Sequence, residues 1–475
     1  MTDICEFGVV EAAERIAAGE VTAERVATVA LDRLAERGPA FNAIVAVDRE
    51  GALAAAREVD RARARGDKLP PLAGVPLAHK DLFYRKGRPC AGGSLIRRDF
   101  VADTTATVLE RLDAAGALDL GRLQMAEFAL SPTGFNAHYG HGRSPWNPDY
   151  CSGGSSSGSG AAVAARLVAG ALGSDTGGSI RHPAAMCGIV GIKPTHGLVS
   201  LHGVMPLSPT LDCAGPLARS ARDVARLLTV IAGPDPRDGA TASAPRRDYE
   251  SGLNGDLRGV RIAVPQPYYR EAATEEIGRL LDESLAVLRD AGAIIVPSAV
   301  PDMATVNALH AVVLQVEAAT LHRRWLSERP GDYADQVRAR IVPGFAYPAT
   351  RYAEALMLRA QIAREWLAAA MADADMVHIP TLTSEVPSIA ETTSGSIENV
   401  TAAIAKVTYC TRGINYLGLP SVAVPCGFTA AGLPASFQLV AEPYSEAKLL
   451  RAADAYQART DWHRRVPPNC GEKKN

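Results

Sequence analysis

The spacing of apolar residues predicts different elements in different parts of the chain. Over residues 8–65, apolar residues recur every three to four positions, which is typical of amphipathic helices. Shorter apolar runs at 70–83, 259–265 and 376–380 are typical of buried strands, and the run at 104–118 again has helical spacing. Strands that alternate with helices indicate an α/β protein built around a sheet.

Two stretches rich in glycine and serine, 131–160 and 173–197, interrupt this pattern in the apolar middle of the chain. The first precedes an alanine-rich run at 161–172, which predicts a helix. Glycines that turn the chain before a helix leave backbone N–H groups free at the helix start, where they can stabilise an oxyanion. Residues 154–158 (GSSSG) match the nucleophile elbow of α/β-hydrolases, but no strand precedes them, which argues against that fold.

Composition sets only broad limits on function. The 475 residues allow roughly three domains of ordinary size or one large domain. Hydrophobic residues make up 47% of the chain, which is enough for a large core. The net charge of -2 gives no bulk electrostatic reason to expect nucleic acid or an anionic membrane surface as a partner.

Cysteine usage and the absence of targeting patterns favour a cytoplasmic protein. The eight cysteines are scattered without a C-x-x-C pair, as expected for reduced thiols. The N-terminal residues have no signal-peptide pattern, and no run of about eighteen apolar residues predicts a membrane span. His138 and His141 form H-x-x-H without the glutamate of a zinc protease, so we expect no metal and no cofactor.

Lys80 lies between two apolar segments in AGVPLAHKDLF, in a chain that uses arginine for most of its 50 basic residues. A lysine that is withdrawn from water can lose its charge and act as a general base, whereas an arginine cannot. The alternative is that Lys80 pairs with Asp81 or extends to solvent. The spacing of the residues leaves both interpretations open.

Three ordered motifs give the chain a resemblance to the amidase signature family. They are GGSSSG at 153–158, GSDTGGSIR at 173–181 and GIVGIKPT at 188–195. Five shorter matches support them at a distance: Lys80-Asp81, MAEF at 125–128, PWNP at 145–148, GLP at 418–420 and VPCG at 424–427. The order and length of these motifs make the resemblance far more specific than any single short pattern.

The resemblance covers about residues 5–465 and implies one large domain, 1–475, in place of several. The fold it implies is α/β, with a mixed, twisted central sheet surrounded by helices. Within this domain we expect a helical N-terminal arm at about 5–65, a signature core at about 70–235 and a variable substrate channel at about 300–410.

The resemblance also implies roles for individual residues. Ser179 would be the nucleophile, Ser155 the bridging serine and Lys80 the base. Ser155 would follow Gly154 through a cis peptide bond. The backbone N–H groups of four residues would form the oxyanion hole: Thr176, Gly177, Gly178 and Ser179. Three residues would support the triad, namely Ser156, Asp175 and Arg181, and three would contact the substrate, namely Met125, Phe128 and Gly154.

The implied activity is that of an amidase, a hydrolase of linear C–N bonds that forms an acyl-enzyme, and three functions stay open. The first is hydrolysis of small aryl or alkyl amides, with ester or carbamate (urethane) cleavage as further activities. It implies a small-molecule amide, ester or carbamate substrate, no nucleic acid, no membrane, and a monomer or homodimer. The second is the glutaminase (A) subunit of a tRNA-dependent amidotransferase, and the third is a non-catalytic scaffold. Residues 201–207 (LHGVMPL) resemble stand-alone amidases, so we expect the first.

Overall fold

A mixed sheet organises the computed structural model, which describes residues 4–468 and residue 470. Its strands are β1 (Ile44–Val47), β2 (Pro76–Lys80), β3 (Leu118–Leu123), β4 (Gly170–Asp175), β5 (Val190–Lys193), β6 (Cys213–Ala218), β7 (Arg261–Pro265), β8 (Ile294–Ser298), β9 (Met376–Pro380), β10 (Ser421–Phe428) and β11 (Pro434–Val440). Their order in the sheet is β1-β3-β2-β4-β6-β5-β10-β11-β9-β7-β8. β2 is parallel to β3 and β4, and β7 is parallel to β8 and β9, whereas the other neighbours are antiparallel.

Helices lie between the strands along the chain, and many of them pack against the sheet. They are α1 (Val9–Ala18), α2 (Ala23–Arg37), α3 (Arg49–Ala64), α4 (Thr107–Ala114), α5 (Ser157–Ala164), α6 (Arg181–Cys187), α7 (Ala221–Ile231), α8 (Glu275–Asp290), α9 (Met303–Glu328), α10 (Asp335–Ile341), α11 (Ala349–Ala370), α12 (Ile389–Thr393), α13 (Ile397–Thr408), α14 (Arg412–Leu417) and α15 (Glu446–Gln457). The predicted α/β fold, one large domain with a mixed central sheet, is confirmed. The predicted end points of that domain, residues 1 and 475, lie outside the described residues.

The helical pattern at 8–65 accounts for α1, α2 and α3 but misses β1 between them. β1 has only four residues, and it lies at the edge of the sheet, paired with β3. Four residues are too few for their alternation of exposed and half-buried side chains to be distinguished from the flanking helical pattern. The strand exists because β3 offers it a free edge, which is a tertiary effect.

The alanine-rich run predicted as a helix at 161–172 is divided in the structure. The helix α5 begins earlier and ends at Ala164, and the chain then turns at Arg166, whose φ is 57°. The guanidinium of Arg166 donates to the carbonyl of Ala164, which stabilises this turn. β4 follows at once, fully buried between β2 and β6. Pairing with two strands outweighs the helix propensity of alanine and leucine here.

Glycine lets α5 approach the backbone of its neighbours. A Cβ atom on Gly158 would lie 2.3 Å from the carbonyl oxygen of Ala43 and 2.5 Å from the amide nitrogen of Gln124. No side chain fits at that distance, so the glycine is required for the packing. The serine and glycine residues of this helix therefore serve close packing under the sheet rather than flexibility.

The helix α9 is long and apolar enough to cross a membrane by length and composition, alone among the helices the structure describes. Half of the most apolar stretch of this helix is buried inside the protein. Val306, Leu309 and Val313 belong to a core cluster. The core helix of a soluble protein passes the same test, so this feature is weak evidence for a membrane span.

The topology of β2 and β4 determines where the predicted site residues meet. Lys80 is the last residue of β2, and Ser174 and Asp175 are the last residues of β4. The two strands are parallel neighbours, so their final residues lie at the same edge of the sheet. The second glycine-rich stretch begins in β4 and carries Ser179 just beyond this edge.

Candidate active site

Lys80 is buried at the end of β2, with 1% of its surface exposed. Its Nζ lies 2.7 Å from Ser155 Oγ and 2.8 Å from Ser174 Oγ. Burial lowers the pKa of Lys80 to about 7, against the opposing effect of the negative charges of Asp212 and Asp175. A large fraction of this amine is therefore neutral near pH 7, which is the state that a general base needs.

The peptide bond between Gly154 and Ser155 is cis, as the resemblance implies. A Cβ on residue 154 would lie 2.3 Å from the carbonyl oxygen of Ser131, so only glycine fits there. The carbonyl of Ser155 accepts a hydrogen bond from the amide of Ala126 at 3.1 Å. These contacts hold the hydroxyl of Ser155 against Lys80. Gly154 itself does not line the cavity described below, so its predicted contact with substrate is not supported.

Ser179 opens onto a cavity of about 340 Å³. Its hydroxyl makes no hydrogen bond with any residue the structure describes, although only 7% of the residue is exposed. The structure therefore joins Lys80 to Ser155 but shows no hydrogen bond from either to Ser179. Hydrogen bonds between a nucleophile and its base commonly tighten only when substrate binds, so the free hydroxyl is compatible with the predicted role.

Three of the four predicted oxyanion donors are open. The amide of Gly178 donates to Asp175 Oδ1 at 2.7 Å, so this donor is already occupied. The amides of Thr176, Gly177 and Ser179 have no acceptor within the described part of the chain. The hydroxyl of Thr176 donates to Asp212 Oδ1 at 2.6 Å. In the predicted role, an oxyanion next to Ser179 would meet these open amides and not the occupied amide of Gly178.

The predicted supporting residues form a buried polar layer behind the loop. Asp175 and Arg181 are both fully buried and form an ion pair at 3.1 Å. Burial alone would raise the pKa of Asp175, but the charge of Arg181 and its hydrogen bonds hold that pKa well below its usual range. Ser156 Oγ lies 3.3 Å from both the amide and the carbonyl oxygen of Ser174, and so ties the first loop to β4.

The structure does not support the predicted contact of Met125 and Phe128 with the substrate. Both side chains belong to the hydrophobic core and neither lines the cavity at Ser179. The ring of Phe128 stacks on Trp325 at a centroid distance of 5.6 Å and meets His322 edge-on at 4.4 Å. Aromatic rings gain more from burial among other rings than from a place in an open channel.

The sequence predicted part of the cavity wall as the segment at about 300–410, but it did not assign individual side chains of that segment to the substrate. Apolar side chains form much of the wall, among them Leu130, Leu207, Leu314 and Ile404. The basic and histidine side chains that were missed are His182, His310, Arg340 and Arg412. They come from α6, α9, α10 and α14, and no motif spacing marks them. Ser174 was missed as well, although its place beside Asp175 at the end of a strand is a signal that could have found it.

The two arginines of the wall are poorly paired within the protein. The guanidinium of Arg412 forms no hydrogen bond or ion pair with any described residue, and its Nε is buried. Arg340 donates one hydrogen bond, to the carbonyl of Leu130 at 3.3 Å. Burial lowers the pKa of Arg340 to about 10, so this side chain is still cationic at neutral pH. The described lining contains no aspartate or glutamate.

Two further features bear on the assignment of the site. A wider cleft of about 1000 Å³ between α8 and α13 contains none of the predicted site residues. Within residues 4–468 and 470, no group of three or more His, Cys, Asp or Glu side chains is arranged to hold a metal ion. That no metal and no cofactor is needed stays a prediction.

Comparison with known proteins identifies the family. The amidase family model matches residues 25–450, and the chain belongs to this family. A similar curated protein is the A subunit of the glutamyl-tRNA(Gln) amidotransferase of Chloroflexus aurantiacus, which is 38% identical over 98% of this chain and 99% of that protein. The chain is therefore an enzyme of the amidase class, which hydrolyses C–N bonds of amides.

Two solved structures share the fold over nearly their whole length. One is described as a vestigial protein complex that reveals the origins of an s-triazine catabolic enzyme. It has a TM-score of 0.89 and 34% identity, over 95% of this chain and 98% of that one. The other is a peptide amidase in complex with chymostatin, with a TM-score of 0.85 and 32% identity over 97% and 99% of the two chains.

These comparisons overturn the predicted partners. We expected a small-molecule substrate, no nucleic acid, and a monomer or homodimer. The similar curated proteins from Chloroflexus aurantiacus and Azoarcus are named as subunits of an amidotransferase of glutamyl-tRNA(Gln). A name of this kind includes both a multisubunit enzyme and a tRNA, so the prediction is wrong. Bulk charge misled it, because one member of an assembly need not carry the nucleic-acid surface itself.

Proposed function

We propose that this chain is a glutaminase-type amidase, the A subunit of a tRNA-dependent amidotransferase or of a related assembly. It would release ammonia from a carboxamide that also carries a carboxylate. The observation that carries this proposal is the pair of guanidinium groups, Arg340 and Arg412, in the cavity that contains Ser179. Arginine binds carboxylates through charge-assisted hydrogen bonds, and Arg412 has no such partner among the described residues.

The proposed reaction begins with proton transfer along the buried serine. Neutral Lys80 accepts a proton from Ser155, which accepts one from Ser179, so that Ser179 Oγ can attack the amide carbon. The amides of Gly177 and Ser179 stabilise the oxyanion that forms. The proton held by Lys80 returns through Ser155 to the leaving nitrogen, which departs as ammonia. Water then attacks the acyl-enzyme by the same proton path and releases the acid.

A second function, hydrolysis of aryl or alkyl amides or of carbamates, is favoured by a different observation. The cavity wall is largely apolar, with Leu130, Leu207, Leu314 and Ile404 along it. Glutamine also carries an ammonium group, and the described lining offers it no carboxylate. An apolar wall without an acidic partner suits an aryl or alkyl group better than an α-ammonium group.

A panel of four substrates, three amides and one carbamate, separates these two functions. The purified chain is incubated with glutamine, with glutaramate (which is glutamine without its α-amino group), with an anilide and with an aryl carbamate. Release of ammonia or amine is measured, with Ser179→Ala as the control. We expect turnover of both carboxylate-bearing amides, with glutaramate at least as good as glutamine, and none in the control.

Other outcomes of this panel would change the assignment. Turnover of only the anilide or carbamate would replace the first function by the second. Turnover that persists in Ser179→Ala would remove the proposed nucleophile, and with it the mechanism. Turnover of glutamine but not of glutaramate would show that an acidic group outside the described lining binds the ammonium.

The proposed assembly needs its own test. Glutamine-dependent amidation of glutamyl-tRNA(Gln) is measured with this chain and the companion subunits of the amidotransferase from its own host. We expect glutaminyl-tRNA to form only when this chain is present with an intact Ser179. Amide hydrolysis by the chain without any amidation of the tRNA would leave the hydrolase and overturn the assembly.

We also keep two predictions from the sequence as proposals. A cytoplasmic location is supported by seven buried cysteines that form no disulfide among the described residues: Cys90, Cys151, Cys187, Cys213, Cys410, Cys426 and Cys470. A variable substrate channel at about 300–410 is supported by Leu314, Arg340 and Ile404, which come from this segment and line the cavity.

A further inference from the structure

Each peptide plane in the loop from residue 176 to residue 179 is fixed by a separate hydrogen bond on its carbonyl oxygen. The carbonyl of Thr176 accepts a hydrogen bond from His310 Nε2 at 2.9 Å. The carbonyl of Gly177 accepts one from Thr411 Oγ1 at 2.7 Å, and that of Gly178 accepts one from the amide of His182 at 2.6 Å. In a trans peptide the N–H of the next residue points away from the preceding carbonyl. Each of these bonds therefore sets the direction of the amide that follows it.

The proton positions on His310 follow from its partner. A carbonyl oxygen only accepts, so the ring nitrogen facing Thr176 must carry the hydrogen. Burial lowers the pKa of His310 to about 4, and the ring is 3% exposed, so it is neutral at working pH. The ring also packs on the loop, because a Cβ on Gly177 would lie 3.3 Å from its Cε1 atom.

The planes differ in how many contacts hold them. The plane that carries the amide of Gly178 is held on both sides, by Thr411 at its carbonyl and by Asp175 at its N–H. The plane that carries the amide of Gly177 is held only at its carbonyl, by His310, as far as the described residues show. The N–H of Gly177 is also one of the open donors in the loop that carries Ser179.

We propose that His310 is a positioning residue that aims the amide of Gly177 at the oxyanion. It does so by fixing the carbonyl of Thr176 on the far side of the same peptide plane. The histidine takes no proton in the reaction and touches no reacting atom. The proposal rests on the proposed function only in needing Ser179 as the nucleophile, and it holds whichever amide is the substrate.

The expected effect follows from how much one oxyanion donor contributes to the reaction rate. Removing one donor outright lowers rates by about 10²–10³-fold. Loss of His310 leaves the donor in place but frees its peptide plane to turn. We therefore expect a loss of about 10–100-fold, because part of the population would still present the amide.

The test uses covalent labelling of the full chain by a fluorophosphonate, in which Ser179 Oγ attacks phosphorus, fluoride leaves and the base takes the proton. The rate constant of labelling is measured for His310→Leu and for His310→Gln, whose side-chain amide can donate to the same carbonyl. We expect His310→Leu to react about 10–100-fold more slowly, and His310→Gln to recover most of the rate.

Two further variants control for loss of packing. His322 is another buried histidine of α9, bonded to the hydroxyl of Tyr333 and remote from the loop, so His322→Leu should label at the wild-type rate. Thr411→Val removes a contact from the plane that Asp175 also holds, so it should slow labelling less than His310→Leu. Thermal unfolding of each variant reports whether the fold is intact.

The results separate this proposal from the function it rests on. Labelling of Ser179→Ala would show that another residue is the nucleophile. If Ser179 is labelled in the wild type but His310→Leu reacts as fast, His310 has no positioning role. Equal slowing of His310→Leu and His310→Gln, or of His322→Leu, would reduce the role of His310 to packing.

Discussion

Two regions of this amidase treat their polar side chains in opposite ways. In the signature core, Lys80, Ser155 and Ser174 are buried and hydrogen-bonded to one another, and Asp175 is paired with Arg181. In the outer wall, formed by residues 303–417, polar groups face the cavity with few internal partners, and Arg412 has none among the described residues. A polar group that is satisfied inside the protein is held in one geometry, whereas an unsatisfied one is available to a ligand.

The difference suggests a division of roles in this fold, with the proposed chemistry in the core and the proposed recognition in the wall. The hydrogen bonds of Lys80 leave it little freedom of orientation, which suits the proton transfer proposed for the core. The wall is also the more exposed region, with Phe345 at 53% and Met357 at 81% exposure. Changes in the wall can therefore alter what is bound without disturbing the buried network that acts on it.

The largest effect is expected from the core base. Lys80→Arg keeps a positive charge but cannot become a neutral base, so amide hydrolysis should fall by about 10²–10⁴-fold. Initial rates on the best amide of the panel measure this loss, and thermal unfolding confirms that the variant folds. Turnover close to the wild-type rate would mean that Lys80 is not the base and that the core has only a structural role.

The next effect is a pH dependence that follows from the pKa of the same lysine. The pKa of Lys80 is about 7, so at lower pH its amine is protonated and cannot accept a proton. We therefore expect kcat/KM to fall by about tenfold per pH unit below pH 7. Above that pH the rate should level off. Rates between pH 5 and pH 9 test this, and a flat profile across the acidic half would contradict the assignment.

A smaller effect, confined to binding, is expected from the wall. Arg412→Leu and Arg340→Leu each remove a charged donor, which typically contributes about 1.5–3 kcal/mol, so KM for glutaramate should rise by about 10–100-fold. The value of kcat should change little, and the KM of an anilide should not rise. Equal losses on both substrates would show that the arginines support the wall and do not recognise a carboxylate.

The smallest effect is expected at Met125, which the sequence suggested as a substrate contact and the structure places in the core. Met125→Leu conserves volume, so it should lower the free energy of unfolding by less than about 1.5 kcal/mol. KM should stay within about twofold of the wild-type value on every panel amide. A selective change in KM for one amide would return Met125 to the substrate site.

The candidate residues of the core could be found from the sequence, because they stand in short contiguous motifs that carry the family resemblance. Gly154 to Gly158 and Gly173 to Arg181 carry the serines, and Lys80 is the last residue of a buried strand. Local backbone geometry and the residues that require it stand side by side in such stretches, so motif and structure agree. An α/β sheet protein could be predicted from apolar runs that alternate with helices, whereas the mixed character of the sheet was implied only by the family resemblance.

Tertiary packing determines which residues line the cavity and which side chains are buried in the core. His310 and Arg412 lie more than 130 residues from Ser179 in the chain, in helices whose patterns look ordinary. Phe128 became a core residue because α9 and the segment after it supply Trp325 and Tyr333 around its ring. Such contacts depend on how distant helices pack on the sheet, and no local spacing of residues records that packing.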